Sequence, residues 1–136
     1  MPTTKTIALL ALLLSGDHRA VRLWRVTLAL LLCAVTYLAL IPAPPPQVSL
    51  GWDKLNHFSA FATLAGLAFL SFAGAWLRIA VALLSYGALI EVLQSFTPTR
   101  TAEWGDLLAD ALGIAFGLLL SARVVATASR RGRRRQ

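Results

Sequence analysis

The sequence predicts an all-α integral membrane protein, a four-helix bundle of four transmembrane helices preceded by a short apolar segment. Hydrophobic residues make up 57% of the 136 residues, and the mean hydropathy is +0.69. They come in long blocks that approach the roughly 20 residues needed to span a bilayer. Basic residues gather towards the two ends of the chain, while most acidic residues lie in short polar stretches beside the blocks. Ordinary soluble domains do not show this distribution.

The chain is expected to divide into three parts. Residues 1–22 are predicted to be a cytoplasmic or interfacial segment, because the apolar run from Ile7 to Leu14 is too short to span a membrane. Cleavage of this run as a signal peptide would leave the following arginines outside, against the positive-inside rule. A four-span membrane domain is predicted over residues 23–126, and a basic, disordered cytoplasmic tail over residues 127–136.

The four predicted spans cover residues 24–41, 54–75, 77–96 and 106–125. Four prolines between positions 42 and 46 end the first span, since proline cannot donate to the helical hydrogen-bond ladder. Gly74 and Arg78 mark a short turn after the second span, and Pro98 ends the third. Asp106 suits the start of the fourth span, where a carboxylate meets the free N–H groups and the positive end of the helix dipole.

The distribution of charge predicts the orientation. With both termini inside, eleven of the thirteen lysines and arginines lie on the cytoplasmic side, and only Lys54 and Arg100 lie outside. The positive-inside rule therefore predicts an N-in, C-in, multi-pass protein of the cell (inner) membrane. The basic residues behind the net charge of +7 flank the spans, where they are expected to face anionic lipids. We therefore expect no nucleic acid partner. The single cysteine, Cys33, excludes an intramolecular disulfide and disfavours a cysteine metal site.

Helical geometry predicts that polar residues from different spans meet near the outer surface. At a rise of 1.5 Å per residue, Glu91 is expected roughly 9 Å below the outer edge of the membrane core. Asp110 is expected about 6–8 Å below the start of its own span. His57 and Asp106 also lie near the outer ends of their spans. Ionisable groups at membrane depth are costly and usually pair or line a working cavity, so this outer third is the predicted site.

Two groups of candidate residues follow. The candidate catalytic residues are His57, Glu91 and Asp106. The candidate ligand-binding residues are Asp53, Lys54, Gln94, Arg100 and Asp110. Glu103 is interpreted as a solvated interfacial charge, and the alternative for Glu91 is a purely structural role that ties the bundle together through His57 or Arg100.

These residues resemble the VanZ-like membrane proteins over about residues 50–120. The matching blocks are Asp53-Lys54-Leu-Asn-His57-Phe-Ser-Ala-Phe61, Glu91-x-x-Gln94, and Arg100-x5-Asp106-x3-Asp110-x2-Gly113-x3-Gly117. The last block contains a G-x-x-x-G pattern, which lets a neighbouring helix approach closely. Asp110 departs from the pattern, since many members carry asparagine there. The resemblance implies a polar motif at the membrane and a link to low-level resistance to the glycopeptide teicoplanin, but no reaction.

Three functions are compatible with these features. The first is an enzyme or binder for a cell-envelope precursor or lipid headgroup on the extracytoplasmic side. His57 would act as acid or base, oriented by Glu91 or Asp106, and Lys54 and Arg100 would hold an anionic group. The second is a non-catalytic scaffold or partner protein, and the third is a small transporter acting as a homo-oligomer. Membrane lipids are the expected partners in every case.

The sequence does not decide whether the protein is an enzyme, and we expect no cofactor. A metal site at His57, Glu91 and Asp106 is chemically conceivable. Tight ligand motifs such as H-E-x-x-H are absent from the sequence. We therefore expect no bound metal.

Overall fold

The computed structural model describes residues 17–42, 50–72, 74–98 and 103–133. These residues form four α-helices and no strand, which confirms the all-α prediction. The helices are α1 (His18–Leu40), α2 (Asp53–Ser71), α3 (Trp76–Gln94) and α4 (Trp104–Arg133).

Three of the four helices, namely α1, α3 and α4 over Trp104–Arg130, are long and apolar enough to cross a membrane. The helix α2 falls short because its first two turns contain Asp53, Lys54, Asn56 and His57. It packs most closely against α4, and residues such as Phe61 and Leu64 are buried. The described helices are thus those of a membrane bundle, whereas four crossings with N-in, C-in orientation stay a prediction.

The outer surface of the bundle is apolar. Leu30, Tyr37 and Leu77 are among the large hydrophobic side chains that are more than half exposed, and similar residues occur along α4. Soluble monomers rarely expose contiguous apolar patches beyond a few hundred Å². A hydrocarbon environment accounts for this surface without any penalty, in agreement with the hydropathy of the helices.

Two glycines set the close packing of α4 against α2. A Cβ atom at Gly113 would collide with the carbonyl oxygen of Phe58, and one at Gly117 would collide with the carbonyl oxygen of Ala62. In both cases the obstructing atom is backbone, which cannot rotate away. The predicted role of the G-x-x-x-G pattern as a close-contact surface is confirmed, and α2 is the helix that fills it.

The helix α1 is attached more loosely than the other three. Only Ala20 and Leu28 are buried along its length. The hydroxyl of Tyr86 on α3 donates to the carbonyl of Leu32 at 3.0 Å and lies 2.8 Å from the hydroxyl of Thr36. Polar bonds between side chains and backbone therefore supplement a small apolar contact.

Two helices extend beyond the predicted spans, whereas the division of the chain into three parts stays a prediction. The helix α1 begins at His18, inside the segment predicted to be interfacial, because Asp17 caps it by accepting a hydrogen bond from the backbone N–H of Arg19. At the other end, α4 continues through Arg133, so the basic tail is helical rather than disordered up to that residue. Alanine and arginine favour helix. Residues 1–16 and 134–136 lie outside the described part.

Candidate functional site

The site is built around a histidine and a carboxylate from the most tightly packed helix pair. The Nδ1 atom of His57 on α2 lies 2.9 Å from Oδ1 of Asp110 on α4. The side chain of Asp110 is fully buried, and that of His57 is about 10% exposed. If the Asp110 carboxylate is ionised it only accepts hydrogen bonds, so Nδ1–H of His57 is then the donor and Nε2 of a neutral imidazole is an acceptor. The sequence predicted Glu91 or Asp106 in this orienting role; the hydrogen-bonded carboxylate is Asp110.

A glycine on α3 makes room for the Asp110 carboxylate. A Cβ atom at Gly87 would lie 2.5 Å from Oδ2 of Asp110 and 3.2 Å from the ring of Phe61. Within the described residues, that Oδ2 atom is buried without a hydrogen-bond partner. Asp110 is therefore held by His57 on one side and by the backbone surface of α3 on the other.

Glu91 fastens the start of α4 to α3. Its Oε2 atom accepts a hydrogen bond of 2.9 Å from the backbone N–H of Glu103, and its Oε1 atom is buried without a partner among the described residues. Glu91 also interacts electrostatically with His57, Asp106 and Asp110. Glu91 therefore links the last turn of α3 to the residue that precedes α4.

Lys54 lies between two carboxylates. Its Nζ atom is 2.6 Å from Oε2 of Glu103 and 3.3 Å from Oδ1 of Asp106. The Lys54 ammonium lowers the pKa of the exposed Glu103 carboxyl through this hydrogen bond. One positive charge thus faces two negative ones, so Lys54 does not present a free cation to an anionic ligand as the sequence had suggested.

Three side chains at the site could together hold a metal ion. Asp53, His57 and Asp106 each offer an atom that lies within 4.8 Å of the other two. This differs from the metal set considered from the sequence, because Asp53 takes the place of Glu91. Oxygen and imidazole donors suit several divalent ions. However, Asp53 is exposed and Lys54 already engages Asp106, and the prediction of no bound metal stays a prediction.

A cavity of about 390 Å³ lies between α1, α2 and α3, with His57 in its wall. Its polar lining includes Asp53, Asn56, His57 and Gln94, which lie near the start of α2 and the end of α3. The rest of its lining is mostly apolar and includes Leu31, Val35, Leu38, Ala60, Phe61 and Ile90. The volume falls within the roughly 300–1,000 Å³ of small-molecule sites, and an apolar wall with a few polar groups is their usual composition.

Comparison with protein-family models gives a match to VanZ/LLP1 over residues 24–125. The chain belongs to the VanZ/LLP1 family. This confirms the resemblance seen in the sequence and extends it across three quarters of the chain. No curated protein and no solved structure matches it.

The predicted site residues of this VanZ/LLP1 protein are only partly gathered in one place. Asp53, His57 and Asp106 come together, and Asp110 joins them through His57. Gln94 lines the cavity, where its Nε2 atom donates to the carbonyl of Ala39 at 3.1 Å. Arg100 lies outside the described residues.

Sequence reasoning missed two residues of the VanZ/LLP1 site. Glu103, interpreted as a solvated charge, pairs with Lys54 through its side chain and bonds Glu91 through its backbone. Gly87 was not singled out, although a glycine in the middle of an apolar helix is a signal of close approach by a neighbouring group.

Proposed function

We propose that this VanZ/LLP1 protein binds the headgroup of a membrane lipid or lipid-linked cell-envelope precursor on the extracytoplasmic side of the membrane. The observation that carries the proposal is the position of His57. It lies in the wall of a mainly apolar cavity, and its ring is held by a fully buried carboxylate on the helix behind it. Such a cavity suits a ligand that is apolar along most of its length and polar at one end.

The His57–Asp110 pair gives the site a group able to take up a proton. Asp110 holds the imidazole in one tautomer, and the ring of Phe61 stacks nearly parallel to it with centroids 6.5 Å apart. A neutral imidazole fixed in this way accepts a hydrogen bond from a headgroup hydroxyl or amine at Nε2. The same arrangement serves binding and general-base chemistry, and the choice between them depends on whether the bound group reacts.

The distribution of polar residues favours a binding site over a transport pathway. The core beyond the site is apolar and includes Leu28, Leu64, Ala68, Ile79, Leu83, Ile114 and Leu118. Transported ions and polar solutes need polar groups along their route. Within the described residues, the core supplies such groups on the His57 side of the bundle only, with Ser71 as the buried exception.

The experiment compares variants for their ability to restore low-level glycopeptide resistance in a host lacking the protein, with membrane levels measured for each. His57→Gln is expected to abolish function. Asp110→Leu removes the acceptor for Nδ1–H and is also expected to abolish function. Asp110→Asn keeps a carbonyl oxygen as acceptor and is expected to retain most of it. Thr127→Ala, at an exposed position near the other end of α4, is the matched control.

A scaffold gives a different pattern. If His57 only fills space between helices, then His57→Gln at wild-type membrane levels should retain function. That result would contradict the proposed headgroup site and leave a structural partner protein as the better description.

A further inference from the structure

The charge around the cavity indicates which headgroup it takes. Asp53 carries a negative charge in the lining, and the other polar residues there, such as Asn56, His57 and Gln94, are uncharged or titratable. Among the residues that the structure describes, none of those lining the cavity is a lysine or arginine. An anionic headgroup would meet a like charge at Asp53, whereas a cationic one would be attracted.

Lys54, which follows Asp53 in the sequence, does not reverse this balance. Lys54 is 2.6 Å from Glu103 and 3.3 Å from Asp106, so its single charge is shared by two carboxylates. Asp106 lies within 4.8 Å of both Asp53 and His57, measured between their potential ligand atoms. The described groups at this end of the cavity therefore carry an excess of negative charge. They are rich in acceptor atoms, since a carboxylate offers about four acceptor positions and no donor.

We propose that the ligand of this cavity is a membrane amphiphile whose headgroup ends in a protonated amine. This inference rests on the proposed function, because it assigns the headgroup for the same cavity. The ammonium would donate to Asp53, to the Nε2 atom of a neutral His57, and to the amide oxygen of Gln94, whose Nε2 atom already donates to Ala39. The alkyl chain would lie along the apolar lining between α1 and α2.

A lipid fits this cavity better than a water-soluble amine. Half of the apolar lining residues belong to α1, which also exposes Leu30 and Tyr37 to the surroundings of the bundle. A soluble amine would leave the surfaces of Leu31 and Val35 in contact with water or empty space. In a bilayer the alkyl chain of a lipid is already in an apolar environment, so placing it in the cavity changes its free energy little. Selection among lipids therefore falls on the headgroup.

The test uses the full-length protein in phosphatidylcholine vesicles with three photoactivatable hexadecyl probes that differ only in their headgroup. The headgroups are a primary ammonium, a phosphate monoester and a hydroxyl. The ammonium probe is expected to label cavity residues at least about threefold more strongly than the hydroxyl probe, the difference expected for one partly exposed ion pair with Asp53. The phosphate probe is expected to label them least.

Four variants test whether the preference arises in the cavity. Asp53→Asn should reduce ammonium labelling about three- to tenfold and leave hydroxyl labelling unchanged. Asp17→Asn is the matched control, since it removes the same charge at the start of α1 and asparagine preserves helix capping. Ala60→Phe, with Val35→Phe as a second way to fill the cavity, should reduce labelling by all three probes.

The outcomes separate the two proposals. Equal labelling by the three probes, lost in the filled variants, would keep the lipid cavity and refute the amine headgroup. Preference for the phosphate probe would refute it as well. If a chelator abolished the preference for the ammonium probe, the amine would be binding a metal ion held at Asp53, His57 and Asp106. That result would overturn the inference. Absence of cavity labelling by any probe would contradict the proposed function itself.

Discussion

Replacement of Gly87 by alanine is the sharpest test of how the site is assembled. The new methyl group would lie 2.5 Å from Oδ2 of Asp110, so reaching an ordinary contact of at least 3.4 Å requires the carboxylate to move by about 0.9 Å. The other oxygen of that carboxylate is bonded to His57 at 2.9 Å. Because the two oxygens belong to one rigid group, the methyl cannot be accommodated without disturbing the histidine.

The expected cost follows from opposing effects. Overpacking of a tight interior costs about 1–3 kcal/mol, and weakening the charge-assisted bond to His57 adds to it. The better helix propensity of alanine returns up to about 1 kcal/mol. We expect Gly87→Ala to lower the free energy of unfolding by about 1–2 kcal/mol, measured by titration with SDS in mixed micelles.

A double-mutant cycle with Asp110→Ala isolates the contact. Removing the carboxylate removes the atom with which the methyl collides, so Gly87→Ala should become neutral or stabilising in that background, with a coupling free energy of about 1–3 kcal/mol. Gly66→Ala is the control, since its Cβ would lie 3.2 Å from the Ser121 hydroxyl, which can rotate. Additive effects of the Gly87 and Asp110 substitutions would refute the described contact.

Three further predictions concern the helix contacts. Gly117→Ala should destabilise the bundle by about 1–3 kcal/mol, because backbone of α2 blocks the methyl, whereas Ala115→Leu on the exposed surface should have little effect; equal effects in SDS titration would contradict this packing. Gln94→Leu should cost about 1 kcal/mol and raise proteolysis of α1, since it removes the bond to Ala39, and unchanged proteolysis would count against that bond. Since Lys54 lowers the pKa of Glu103, their pair should stabilise the protein above the ordinary glutamate range and lose this contribution as the pH falls through the lowered pKa. Glu103→Gln should remove that component of acid destabilisation, and an unchanged pH profile would contradict the assignment.

The positions of the helices could be predicted because hydropathy and proline placement are local properties. The predicted ends of the first and third spans lie within two residues of the ends of α1 and α3, although α1 begins six residues earlier than predicted. The sequence also predicted that another helix would pack closely against Gly113 and Gly117, since small residues permit close approach. The identity of the partner helix required the folded structure.

The pairing within the site could not be predicted from spacing alone. Asp106 and Asp110 share one face of α4, so both were able to meet His57. The choice depends on the rotation of α4, which is fixed by Gly113 and Gly117 against α2 further along the helix. The bond between Glu103 and Glu91 could not be predicted because its donor is a backbone N–H, a group that every residue except proline possesses.

The polar first turns of α2 have a consequence for biogenesis. The helix α2 is less hydrophobic than the helices around it, so the membrane insertion machinery recognises it less readily as the nascent chain emerges. Asp110, whose carboxylate is hydrogen-bonded to His57, is synthesised more than 50 residues later. We expect α2 to insert stably only after α4 has been synthesised. In a chain truncated before Trp104, glycosylation tags placed at α2 should therefore be glycosylated. Protection of those tags in the truncated chain would show that α2 inserts unaided.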